Sequence, residues 1–201
     1  MNDNVIQVRT ATISRKTAET DVQAELLIDG TGESRIQTGI GFFDHMLTLF
    51  AKHGLMDLTV TARGDLQVDG HHTVEDVGIV LGQALAKACG DRVGIKRYGH
   101  AYVPMDEALV LAVVDVSGRP FLAWDGELGK SRIGQFDTEL VEEFLRALSV
   151  HAGLTMHVKV LAGRNLHHIV EAVFKALGRA LSDALSKDPR VAGVPSTKGV
   201  L

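Results

Sequence analysis

Two stretches of eighteen residues, HHTVEDVGIVLGQALAKA at 71–88 and HHIVEAVFKALGRALSDA at 167–184, agree at ten positions when shifted by 96. Unrelated segments of that length agree at roughly one. A chain of 201 residues carrying this repeat is constrained to fold as two related halves. Upstream the shift becomes 98, and the apolar stripe at 42, 43, 46, 47 and 50 falls on 140, 141, 144, 145 and 148. His53 lands on His151 and His45 on Glu143, so the second half is two residues shorter between its helices.

The order of elements repeats as well. Alternation in Val5 to Ile13 and Val22 to Ile28 predicts two strands with a turn at 29–34, followed by an amphipathic helix over Phe42 to His53. A strand near Leu58 to Ala62 and a long helix from His71 complete the first half. After GDRVGIKRYG come strands near 101–103, 109–116 and 120–124, a helix at 138–150, a strand at 155–161 and a last helix over 166–186. This is an α+β pattern of two halves, 1–92 and 93–187, each with a sheet on one side and a helix pair on the other. Residues 188–201 form a C-terminal tail.

Each repeat opens on His-His-x-x-Glu at a helix start. Residues i and i+4 share a helix face, so His71 can meet Glu75 and His167 can meet Glu171. Adjacent histidines point about 100° apart, because the helix turns every 3.6 residues. One motif is therefore better suited to serve two sites than one. Imidazoles with carboxylates and no thiolate suit Mn, Fe, Co or Zn rather than a structural zinc knuckle. A helix N-terminus repels a cation, and Glu75 and Glu171 offset that. A single His-His at a helix start is commonly a solvated polar turn; its repetition with the glutamate kept favours metal. His45 gains weight from its alignment with Glu143, whereas His100 and His157 read as strand or surface residues.

Cations for an anion are sparse but placed. Arg97 in IKRYG and Arg119 in SGRPF sit near turns, where a guanidinium can grip phosphate or carboxylate, although each alone reads equally as a surface residue. The tail AGVPSTKGVL offers Ser196, Thr197 and Lys198 to an anion, or is a frayed terminus. Lys175 lies four residues after Glu171, as a proton donor or a plain helix ion pair. A net charge of -4 without a Lys/Arg run argues against nucleic acid. The longest apolar run, 108–114, is too short for a membrane span. The single cysteine, Cys89, and the lack of a secretion signal at the start imply a cytoplasmic setting.

Taken together, GFFDHML, DGHHTVED, NLHHIVEAVFKA, PMDEAL, SGRP and VPSTKGVL resemble the imidazoleglycerol-phosphate dehydratase family, from about residue 8 to the C-terminus. The absence of a phosphatase-like extension resembles the monofunctional form. The resemblance implies two fused half-domains, each a four-stranded sheet packed on a helix pair with a left-handed βαβ crossover, as in a small-subunit ribosomal protein and certain small-molecule kinases. It also implies a homo-oligomer of twenty-four chains with two manganese ions per active site, completed between subunits. Matching motifs make His45, His71, His72, Glu75, Glu143, His167, His168 and Glu171 the metal ligands. The chain departs from several relatives at VEEFL, where Glu143 stands in place of a histidine. The resemblance places Glu19, Arg97, Arg119, Ser196, Thr197 and Lys198 at the substrate, with His53 and Lys175 beside them.

The implied reaction removes water from imidazole glycerol phosphate, a small phosphorylated imidazole, to give imidazole acetol phosphate in histidine biosynthesis. The hydrogen lost is barely acidic, and metals on the ring nitrogens would stabilise an imidazolate able to expel the neighbouring hydroxyl. Glu171 and Lys175 are expected to transfer protons, with Glu19 and Asp106 as helpers. Two rival readings use the same residues. A metal-dependent hydrolase would release phosphate, and a non-catalytic, metal-assembled oligomer would bind no substrate.

Overall fold

The computed structural model describes residues 8–201, so the expected strand's residues 5–7 lie outside the described part. The first half runs β1 (Thr10–Lys16), β2 (Thr20–Leu27), β3 (Ser34–Gln37), α1 (Gly41–Gly54), β4 (Asp57–Gly64) and α2 (His71–Cys89). The second runs β5 (Tyr98–Met105), β6 (Ala108–Asp115), β7 (Phe121–Asp125), β8 (Arg132–Ile133), β9 (Phe136–Asp137), α3 (Leu140–Ala152), β10 (Thr155–Ala162) and α4 (Leu166–Leu185). Both large sheets are four-stranded with one topology, β1-β2-β4-β3 and β5-β6-β10-β7. In each, the third strand in sequence pairs parallel to the fourth across a helix.

Two expectations need correction. The stretch expected as a turn at 29–34 ends inside β3, a short strand at the sheet edge whose Ile36 is only half-buried. Its polar surroundings and four-residue length hide the period that marks a strand. The second half also inserts the two-stranded β8–β9 ribbon, which no pattern announced.

Strand alternation puts one face of each sheet inward, as in β2, where Val22, Ala24 and Leu26 are buried. Helices α1 and α2 cover the first sheet, and α3 and α4 cover the second. The helices then pair across the halves, α1 with α4 and α2 with α3, giving a sheet, two helix layers and a sheet. The halves thus share one core. Phe43 meets Phe144 at 5.4 Å between ring centroids, and Phe144 stacks on Phe174 at 5.3 Å. Each fully buried aromatic contributes roughly 1.5–3 kcal/mol, so this cluster joins the halves strongly.

Glycine permits the close crossings. A Cβ on Gly178 would stand 2.5 Å from the Phe50 carbonyl oxygen, and one on Gly82 would stand 2.9 Å from that of Leu148. These two glycines are a matched pair of the repeat. No helix of the described residues is long and apolar enough to cross a membrane. Cys89 closes α2 in the interior, where burial pushes its thiol up to about 11 and removes thiolate from the available ligands.

Candidate active site

Both His-His-x-x-Glu motifs sit on the first turn of a long helix, as the repeat predicts. Asp69 accepts from the His71 amide at 2.8 Å, and the Asn165 side chain caps α4 by accepting from the His167 amide at 3.0 Å. These local bonds start each helix at the motif. Within each motif the rings diverge, with centroids 6.1 Å apart and planes at 87° for His71 and His72, and 6.3 Å and 82° for His167 and His168. Adjacent histidines accordingly face different partners.

Around the second motif, α1 of the first half and α4 of the second bring His45, His167 and Glu171 together, with one ligand atom from each lying within 4.8 Å of the others. Nε2 of His167 is 3.3 Å from Glu171 Oε2, and Nε2 of His45 is 3.6 Å from the same oxygen. Phe42 meets the His167 ring edge-on at 5.1 Å. Glu171 is buried, and Lys175 holds its other oxygen. Burial pushes the Glu171 carboxyl up, but Lys175, His45 and His167 outweigh it and keep the group below its usual range. Two imidazole nitrogens and a buried carboxylate converging on one point form a donor set suited to a divalent cation.

The first half repeats the ligands in looser form. His71 Nε2 lies 3.9 Å from Glu75 Oε2. Glu143 is half-buried on the facing helix, α3, and among the described residues it joins no convergent group of three.

The second histidine of each motif meets a carboxylate. Nδ1 of His72 is 3.0 Å from Asp65, with Glu19 at 3.8 Å. Thr17 Oγ1 accepts from the Glu19 amide at 3.1 Å and so shapes the turn that holds it. Nδ1 of His168 is 2.8 Å from Glu107, and its Nε2 is 3.9 Å from Asp106. Asp65 raises the pKa of His72 and Glu107 raises that of His168. His168 and the backbone amides of Asn165 and Arg164 hold Glu107 down to about 2. Sequence reasoning missed Asp65 and Glu107. Glu107 could have been noticed as a carboxylate on the hairpin that corresponds to the one carrying Glu19.

The expected anion-binding residues gather elsewhere. Arg97 bonds Asp115 through Nε at 2.7 Å and Nη2 at 3.1 Å, and donates from Nη1 to the Pro195 carbonyl at 2.9 Å. Its backbone is left-handed, at φ 74°, and is fixed by bonds from its amide to Ala184 and from Val116 to its carbonyl. Arg97 thereby seats the tail that carries Ser196, Thr197 and Lys198. Arg119, largely exposed, stands 4.0 Å from the same Asp115. Thr197 and Lys198 are exposed, while Ser196 Oγ accepts from the Lys198 amide at 3.2 Å.

His53, on the last turn of α1, lines a cleft of about 590 Å³ with Lys96, His100 and Arg179. Burial, then the charges of Lys175 and Arg179, lower its pKa.

Two rulers separate the tail from the histidines. Arg97 immediately precedes β5, and that strand ends at Met105 beside Lys175; eight residues at about 3.3 Å each span roughly 25 Å. Along α4, Ala184 bonded to Arg97 lies thirteen residues beyond Glu171, or about 20 Å at 1.5 Å per residue. A substrate the size of a phosphorylated imidazole is shorter than either span, so it does not reach from Arg97 to Glu171 within one chain.

The family described as imidazoleglycerol-phosphate dehydratase matches residues 38–181. Proteins of that name are similar throughout: 62% identical in Acetivibrio thermocellus, covering 94% of this chain and 97% of that protein, and 64% in Thermoanaerobacter pseudethanolicus, covering 96% and 100%. The solved structure of imidazoleglycerol-phosphate dehydratase from Staphylococcus aureus N315 superposes with a TM-score of 0.81 at 44% identity, covering 89% of this chain and 99% of that one. The Pyrococcus furiosus structure, in complex with (S)-C348, gives 0.81 at 41% identity, covering 94% and 100%.

Proposed function

The chain belongs to the imidazoleglycerol-phosphate dehydratase family, and from that premise we propose that it dehydrates imidazole glycerol phosphate to imidazole acetol phosphate in histidine biosynthesis, using manganese. The observation that carries this reading is the convergence of His45, His167 and Glu171, with Lys175 hydrogen-bonded to the carboxylate.

His45, His167 and Glu171 would hold one metal and His71, Glu75 and Glu143 another, joined by His72 and His168 from neighbouring chains. When bound, the two cations supply Lewis-acid stabilisation of charge at the imidazole nitrogens. The 20–25 Å from Arg97 to the second motif favours a reading in which ring and phosphate are held by different chains. A homo-oligomer, of twenty-four chains by the family resemblance, would supply them. Arg119, Thr197 and Lys198 face water and would take the phosphate, with Arg97 holding the tail through the Pro195 carbonyl.

The chain's own residues move the protons. Lys175 donates one to the hydroxyl leaving from the carbon beside the ring, which departs as water with the bonding pair. A carboxylate, Glu171 or Glu19, takes the proton from the neighbouring carbon, and that C–H pair forms the enol double bond. Ketonisation moves the enol proton to a base and returns one to the carbon beside the ring, so the net loss is one water. Asp106, on the turn beside His168, is placed to assist.

Activity toward imidazole glycerol phosphate, followed as ketone formation with free phosphate assayed alongside, tests the proposal. Ketone that disappears on chelation and returns with manganese is expected. Phosphate release, or no turnover by metal-loaded protein, would overturn it.

A further inference from the structure

We propose that Glu107 is a positioning residue: it fixes His168 with Nε2 directed outward for metal, a role that Asp65 plays for His72 and that leaves Glu19 available to substrate. The inference rests on reading His168 as a metal ligand.

Glu107 is held from two sides. Its Oε2 meets His168 Nδ1 at 2.8 Å, while Oε1 accepts from the Arg164 amide at 3.1 Å and the Asn165 amide at 2.8 Å. Those amides immediately precede α4, so the carboxylate is registered to the same helix start that presents the histidine. A ring whose Nδ1–H donates to a carboxylate keeps its Nε2 lone pair for a metal and cannot flip without losing that bond.

The first half reaches the same result by another route. There the loop from β4 to α2 contains Asp65, whose oxygens lie 3.0 and 3.2 Å from His72 Nδ1. The matching stretch before His167, Gly163 to Leu166, is two residues shorter and without a carboxylate. Glu107 comes instead from the β5–β6 hairpin, which corresponds to the β1–β2 hairpin carrying Glu19. Because Asp65 already occupies His72, Glu19 stands off at 3.8 Å and is exposed. Equivalent hairpins thus present one carboxylate that is committed and one that is spare.

Manganese binding to full-length Glu107→Ala, Glu107→Gln, Asp65→Asn, Glu19→Gln and His168→Ala, measured by calorimetry with metal content by mass spectrometry, tests this. The d–d spectrum of the cobalt-loaded protein reports the ligand geometry directly. Glu107→Ala and Asp65→Asn are expected to weaken one class of site by about 10–100-fold and alter the cobalt spectrum. Glu107→Gln, which keeps the shape and one acceptor, should fall less; Glu19→Gln should bind metal as wild type. If His168→Ala loses a site while both Glu107 variants bind and absorb as wild type, the positioning role is wrong and the ligand reading stands. If His168→Ala itself binds as wild type, the ligand reading fails first. Circular dichroism confirms folding, and Glu107→Gln serves if the alanine variant does not fold.

Discussion

The two halves keep the same ligands and give them different neighbours. Glu171 retains only 9% of its side-chain exposure and bonds Lys175, whereas Glu75 retains 46%. At the position matching Lys175 the first half has Ile79, and the first motif faces Glu143 on α3 where the second motif faces His45 on α1. Duplication has therefore kept His-His-x-x-Glu in both copies and put an ammonium beside only one glutamate. On the proposed function, two copies of the ligand set would hold two metals, while one dehydration needs one proton donor.

The largest test of that asymmetry is on turnover. Lys175→Met is expected to lower kcat by about 10²–10⁴-fold with metal content unchanged, while Ile79→Met leaves both near wild type. Equal losses from the two variants, measured by steady-state kinetics and metal analysis, would return the halves to equivalence. Glu171→Gln should cost at least as much as Lys175→Met, because it removes the carboxylate as well as the partner of the ammonium.

Next in size are the helix crossings, where the halves are alike. Gly178→Ala and Gly82→Ala each force a Cβ against backbone, and overpacking of this kind costs roughly 1–3 kcal/mol. Gly178, with the closer approach of 2.5 Å against 2.9 Å, should lose more. Denaturant unfolding of both variants decides it, and a larger loss at Gly82 would show that α2 and α3 are the less yielding pair.

Smaller again is the effect at the divergent ligand. Glu143→Ala is expected to weaken one manganese site about tenfold, which is about 1.4 kcal/mol, and Glu143→His to restore or exceed the original affinity. Unchanged calorimetric binding in Glu143→Ala would reduce the first half's set to His71, Glu75 and ligands from other chains.

What the sequence reveals and hides divides along the same line. The helices, the motif faces and the pairing of Lys175 with Glu171 are legible because they depend on residues three or four apart. The divergence of adjacent histidines follows from helix geometry alone. Glu107 is not legible, since it meets its histidine only after the β5–β6 hairpin has folded onto α4, 61 residues away in sequence, and Asp65, 7 residues away, is hidden because an irregular loop carries no period. Asp115 is hidden for the same reason as Glu107, although it decides how Arg97 is spent. β3 escapes because a four-residue edge strand with alternating half-buried and exposed positions carries too little pattern.

The last difference concerns acid. At the start of β4, Asp57 ties down the β2–β3 loop by accepting from the Thr31 amide at 2.7 Å and the Glu33 amide at 3.0 Å. Thr155, at the matching place in β10, does the same work without charge, donating to the Arg119 carbonyl at 2.9 Å. The backbone amides of Thr31 and Glu33 lower the Asp57 pKa from 3.8. A depressed carboxyl stabilises the fold at pH values above its unfolded pKa, and that contribution disappears as pH falls through the folded value. Acidification below pH 3.8 should therefore weaken the first half's loop, while the neutral anchor of the second half persists. Asp57→Asn is expected to cost about 1 kcal/mol near neutral pH, after allowing for solvent screening, with the gap to wild type narrowing at low pH. Thr155→Val should give a loss that does not change with pH. Parallel stability–pH curves for wild type and Asp57→Asn would mean that the loop is held by shape rather than by the carboxylate charge, and the two anchors would then be equivalent.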